Sequence, residues 1–156
     1  MRTVAVLLPV LGSVLLSPLA GAAPAAGADA AAGARPPVYL EVPPGPAAVL
    51  DGRTFSLAGI PLRLAGLAPP VRAADDSYGG GLLLITLSVY GGAHCVGVGA
   101  DAGGAVQVRC LLPDGQDLGA LMVMSGGAAA AGSDYAFEES VARDAGVGLW
   151  KSSGRR

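Results

Sequence analysis

The polar and apolar positions change period several times along the chain, and each change marks an element. Between residues 49 and 71, Phe55 and Leu57 alternate with Thr54 and Ser56, then Ile60, Leu62 and Leu64 alternate with Pro61 and Arg63. Asp51-Gly52 and Ala58-Gly59 are turn signals on either side of the first run, so this stretch predicts a hairpin of two short strands with one apolar face. Residues 38–42 alternate like another strand until Pro43-Pro44 and Gly45-Pro46 stop it. Residues 78–90 carry Leu82, Leu83, Ile85, Leu87 and Val89, a spacing that admits a helix. Gly79-Gly80-Gly81 weaken its start, and the β-branched residues keep a strand as the alternative.

The alternation of Val106, Val108 and Cys110, with Gly103-Gly104 as the turn, predicts a second hairpin whose strands set Cys95 and Cys110 opposite each other. Asp117 is suited to cap a helix over residues 118–124, which Ser125-Gly126-Gly127 ends. The last segment, residues 135–150, has Glu138 and Glu139 near its start and closes on Gly146-Val147-Gly148-Leu149-Trp150. The large apolar area of Trp150 predicts a core anchor, with ligand stacking as the alternative.

The beginning of the chain stands apart. Met1-Arg2, an apolar run over residues 4–19 and the small residues Ala20-Gly21-Ala22 read as a secretory signal peptide, residues 1–22. Pro9 and Pro18 break a run already short for a membrane span, and no later run resembles one. Residues 23–37 are an Ala/Gly/Pro-rich leader expected to be disordered, residues 38–150 the single folded domain, and residues 151–156 a polar tail. An exported chain, periplasmic or secreted, holds its two cysteines most simply as a Cys95–Cys110 disulfide, two buried thiols being the alternative. With only His94 beside them they do not make a zinc shell.

Ten lysines and arginines against twelve acids give a net charge of −2, and Lys151 is the only lysine. So few cations do not build a broad phosphate-gripping face, which disfavours nucleic acid as a partner. The expected state is a monomer whose partner the sequence does not name.

Asp51-Gly52-Arg53-Thr54, followed by Arg63-Leu64-Ala65-Gly66-Leu67-Ala68-Pro69-Pro70-Val71, resembles the opening of the staphylococcal nuclease (thermonuclease) family, V-x-D-G-D-T and then R-L-x-G-I-D-x-P-E. The fourteen residues between Cys95 and Cys110, the Asp114-Gly115 that follows, and the closing Tyr135, Glu138-Glu139 and Gly148-Leu149-Trp150 are similar to exported members of that family. The resemblance implies a β-barrel with helices, an α+β fold with a five-stranded OB-like barrel, and an ancestral calcium-dependent cleavage of phosphodiesters.

The family's functional positions are mostly replaced. Its second Asp falls on Arg53, its strand Arg on Arg63, the Asp and Glu around the proline on Ala68 and Val71, and its turn Arg on Ala105. Only Arg63 keeps a catalytic identity. An arginine at a cation site repels the metal, and loss of a base and of a charge-stabilising arginine removes what phosphoryl chemistry needs. The expectation is an inactive binding or structural module with no cofactor; the alternative is a weak calcium-dependent nuclease rebuilt from Asp51, Asp75, Asp76 or Asp101. Taken singly, Asp51 reads as a turn former, Asp75 and Asp76 as a solvated helix start, and Asp101 as loop surface. His94 reads as a surface histidine without a relay, and adjacent Glu138 and Glu139 point apart.

Overall fold

The structure, a computed structural model, describes residues 37–44 and 48–151; the signal peptide expected over 1–22, nearly all of the 23–37 leader, and the tail beyond Lys151 lie outside the described residues. The alternating hairpin forms as its pattern demands. Strand β3 (Thr54–Leu57) turns at Ala58-Gly59 into β4 (Ile60–Leu64), with Phe55 opposite Leu62 and both buried. Ile60, expected on the apolar face, is exposed at the turn.

Strand β1 (Tyr39–Val42) and the two-residue β2 (Ala48–Val49) are the outer strands. Strands β5 (Ala93–Ala100) and β6 (Val106–Leu111) form the second hairpin, with a register shift between Gly97 and Gly99. The order β1-β5-β6-β4-β3-β2 makes one curled, mixed, six-stranded sheet. Every pairing is antiparallel except β4 with β6, which run parallel with Leu62 beside Val106. Pro61, lacking an N–H, sits just outside that parallel pairing. Cys95 and Cys110 are register partners, both buried, and joined by a disulfide. The cross-link therefore staples the middle of the sheet rather than a loop.

Three helices complete a barrel-like α+β fold: α1 (Ala73–Tyr90), α2 (Leu118–Met124) and α3 (Ala136–Ala145), the last followed by a 3₁₀ turn (Gly148–Trp150). Helix α1 starts five residues before the expected position and contains all three glycines. Its first turn is favoured by Asp75 and Asp76 and by the Arg72–Asp75 ion pair at 2.8 Å. Gly79 is there because of packing. A Cβ on Gly79 would lie 2.2 Å from the Gly127 carbonyl oxygen and 2.8 Å from the Gly52 Cα, so three backbones cross where only glycine fits.

The core gathers Phe55, Leu62 and Leu64 from the first hairpin, Leu83 and Leu87 from α1, and Leu118, Met122 and Val123 from α2, with Val108 and the disulfide between them. Asp117 caps α2 as expected, its Oδ1 accepting from the Ala120 N–H at 3.0 Å. The Tyr135 hydroxyl donates to the same carboxylate, at 3.1 Å to Oδ1, which ties the start of α3 to the start of α2. Helix α1 carries apolar side chains outward as well: Ile85 and Val89 are 60% and 75% exposed. Among the described residues no helix is long and apolar enough to cross a membrane.

Candidate functional site

Where β4 ends, the chain cannot continue as sheet. Gly66 turns it, Leu67 bridges to Ala130, and Pro69-Pro70 carry it to α1. The Ala68 N–H donates to the Ala129 carbonyl at 2.8 Å and the Ala131 N–H to that of Gly66 at 2.8 Å, so residues 66–68 and 129–131 zip together. A third backbone closes on this pair. The Leu149 N–H donates to the Gly126 carbonyl at 2.9 Å, and a Cβ on Gly148 would lie 2.2 Å from that oxygen. Glycine at 148 thus lets the 3₁₀ turn dock and sets Leu149 and Trp150 over residues 126–129.

The space left between these segments is a cavity of about 190 Å³. Ala68, Pro69, Ala128, Ala129, Leu149 and Trp150 supply most of its wall, with the exposed Val71 among the lining residues, and Arg53, Arg72 and Asp75 are its charged members. Three of the five positions that the resemblance singles out, Arg53, Ala68 and Val71, therefore line one site. The other two do not. Ala105 is buried in the β5–β6 turn, where its N–H donates to Asp101 Oδ1 at 3.0 Å.

Arg63 is committed elsewhere: its Nε donates to the Thr54 hydroxyl at 3.3 Å and its guanidinium pairs with Asp101. Asp101 is thus the half-buried partner of Arg63 and the organiser of the turn, its Oδ1 also accepting from the Gly103 N–H at 2.9 Å, rather than loop surface. Asp51 has its expected turn role, accepting from the Arg53 N–H at 2.8 Å.

The expected solvated start of α1 needs correction too. Asp75 is held by two hydrogen bonds from Arg72, at 3.0 Å to Oδ2 and 2.8 Å to Oδ1; these lower its pKa, while the same bonds raise that of Arg72. Asp76 has a buried Oδ1 without a hydrogen-bond partner among the described residues. His94 pairs across the strands with Glu41 at 2.6 Å, both exposed and away from the cavity. Of the adjacent Glu138 and Glu139, it is Glu139 that takes a role: it accepts from Arg143 at 2.9 Å, and the Arg143 guanidinium lies 3.7 Å over the Trp150 ring.

Trp150 is not the core anchor expected of it. It is half-buried, outside the core cluster, with the Arg143 guanidinium over its ring, and it is one of the residues lining the cavity. Its Nε1 is buried and has no hydrogen-bond partner among the described residues, and the same holds for Arg53 Nε. Among the described residues the rest of the Arg53 side chain makes one hydrogen bond, Nη1 donating to the Leu67 carbonyl at 3.3 Å. Burial, and then the field of Arg63, lower the Arg53 pKa; Asp51 and Asp76 partly offset this without pairing to the guanidinium. The charge on Arg53 is thus under-compensated.

Chemically, this arrangement offers mainly apolar walls. Calcium needs six to eight oxygen ligands at about 2.3–2.6 Å. The lining residues bring one carboxylate, already held by Arg72, and the cationic Arg53 and Arg72. Among the described residues no group of three or more His, Cys, Asp or Glu side chains converges to hold a metal ion. The donor set does not fit calcium. Sequence reasoning reached Arg53, Ala68 and Val71 through their motif slots, but missed Arg72, Leu149 and Arg143; the closing Gly-Leu-Trp after a charged helix was the available signal. No protein-family model matches this sequence, and no curated protein matches it.

Proposed function

We propose that the chain is an exported, non-catalytic binding module of the staphylococcal nuclease type, with a degenerate five-stranded OB-like barrel and a small-ligand cavity where the family carries out metal and phosphoryl chemistry. One observation carries this reading: Arg53, Ala68 and Val71, the positions that would hold the metal ligands and the base, line one cavity whose wall is mainly apolar. A carboxylate cage has become a lipophilic pocket with an arginine in it. Export is supported by the buried disulfide, which persists in oxidising compartments, periplasmic or extracellular, together with the signal-like residues 1–22.

The remaining catalytic identity, Arg63, supports the same conclusion. Catalysis would need its guanidinium aimed at a phosphoryl group, and it is spent on Asp101 and Thr54 instead. The test is release of acid-soluble nucleotides from single-stranded DNA by the oxidised protein, with calcium and with chelator. No release above background is expected in either. Calcium-dependent cleavage, lost on Asp75→Asn or Asp76→Asn, would replace this reading with a nuclease whose site has moved.

A further inference from the structure

We propose that the outward face of α1 is a self-association surface, on which a second copy of this chain packs its own α1 antiparallel across a two-fold axis. An inverted charge pattern leads to it. The outward face of a helix in water is ordinarily its charged face, yet no residue of the chain from 77 to 90 carries a charge. Tyr78, Leu84, Ile85 and Val89 are between 40% and 75% exposed there. The two acids of α1, Asp75 and Asp76, lie instead at partly buried positions of its first turn. Helix α3 has the ordinary arrangement, with Arg143 and Asp144 exposed.

Spacing and area fit a helix partner. Ala74, Gly81 and Ser88 are exposed too, and they set a small residue every seven positions along the same stripe. Small side chains let two helix axes approach to about 8 Å, a spacing that glycine or alanine at 81 permits. With the axis at Gly81, Ala74 faces Ser88 of the second copy and Tyr78 packs on its Leu84. The exposed Leu50 shares a groove with Gly81 and Leu84 and widens the patch. The exposed parts of these side chains come to roughly 600 Å² per copy, so a pair removes about 1,200 Å² from water, the size at which specific interfaces begin.

Charge sets the direction. In the antiparallel pair the Asp75-Asp76 turns of the two copies lie about 17 Å apart along the axis, beyond the screening length in physiological salt, and each faces an uncharged stretch. A parallel pair would set four carboxylates side by side. A membrane is the poorer occupant, because helices that lie on lipid flank their apolar face with lysine and arginine. Helix α1 contains no basic residue, and Arg72 at its start is paired with Asp75.

The test is sedimentation equilibrium of the oxidised protein at concentrations up to about 0.1 mM. A reversible dimer is expected, in place of the monomer read from the sequence. Ile85→Glu should weaken it about a hundredfold or more, since the two-fold axis buries two glutamates at once. Val98→Glu, at an exposed position of β5, should leave it unchanged. Added thiols report the direction: under a mild oxidant, an equal mixture of Ala74→Cys and Ser88→Cys proteins should form a covalent dimer that neither forms by itself.

A monomer throughout that range, Ile85→Glu associating like the parent, equal loss in Val98→Glu, or Ser88→Cys cross-linking as fully by itself as in the mixture would overturn the proposal. If Ile85→Glu loses its circular-dichroism signature, the parent's association and the thiol pattern decide alone. Neutral lipid vesicles that capture a protein otherwise monomeric would give the surface to a membrane and overturn it as well.

Discussion

Two glycines two residues apart in α1 should respond to the same substitution with opposite sign. Gly81 is exposed, and a Cβ there would meet nothing within 4 Å. Gly81→Ala should therefore gain the helix-propensity difference, about 1 kcal/mol. Gly79→Ala gains the same amount and then meets the Gly127 carbonyl oxygen at 2.2 Å and the Gly52 Cα at 2.8 Å. Both obstacles are backbone, so relief requires moving the loop after α2 or the turn before β3. Overpacking of that kind costs about 3 kcal/mol, leaving a net loss of about 2 kcal/mol. At about 4 °C per kcal/mol for a domain of this size, Gly81→Ala should melt about 4 °C above the parent and Gly79→Ala about 8 °C below it. Thermal unfolding of the three oxidised proteins by circular dichroism, with urea titration as a second measure, checks both. If Gly79→Ala melts at or above the parent, the three-backbone crossing is not the reason for glycine at 79.

Two more predictions concern stability. Replacing both cysteines by alanine removes a cross-link between residues 15 apart, which should cost about 3 kcal/mol in urea unfolding; a loss below about 1 kcal/mol would show that the sheet holds β5 to β6 unaided. Burial, with the charge of Asp117 and the hydrogen bond to it, raises the Tyr135 pKa from 10.0 to about 12. Because the folded state holds this proton more tightly than the unfolded state, its contribution of about 2–3 kcal/mol is complete below pH 10 and is lost between pH 10 and about 12. Ultraviolet titration should show one late-ionising tyrosine that disappears in Tyr135→Phe, and stability of the parent should fall more steeply than that of the variant across this window.

What could be read from the sequence was whatever depends on near neighbours. The hairpins at 54–64 and 93–111, the Asp117 cap and the opposition of Cys95 and Cys110 follow from alternation and turn chemistry over a few residues, and they form as expected. The start of α1 did not follow, because propensity counts Gly79 as a defect while the fold uses it as a clearance. Asp101 was unreadable for a similar reason: its partner Arg63 is 38 positions away, and only the parallel placement of β4 beside β6 brings them together. Part of the candidate site was visible as motif slots, and the rest comes from three other segments that meet only in the folded chain. Trp150 shows the limit most plainly. Its composition argues for burial, but its depth is set by where the Gly126–Gly148 contact places the turn that carries it.

The parallel pairing of β4 with β6 also dictates an order of events during folding. The β5–β6 hairpin closes on itself through a short turn, whereas β4 reaches β6 only after the intervening chain, including all of α1, has been looped out. Ordering that loop costs entropy before any contact repays it, so joining the two hairpins is the slow event and the β5–β6 hairpin is the template on which it occurs. A chain whose cysteines are already joined begins with that template assembled, and oxidation before folding is then an accelerator of folding as well as a lock on its product.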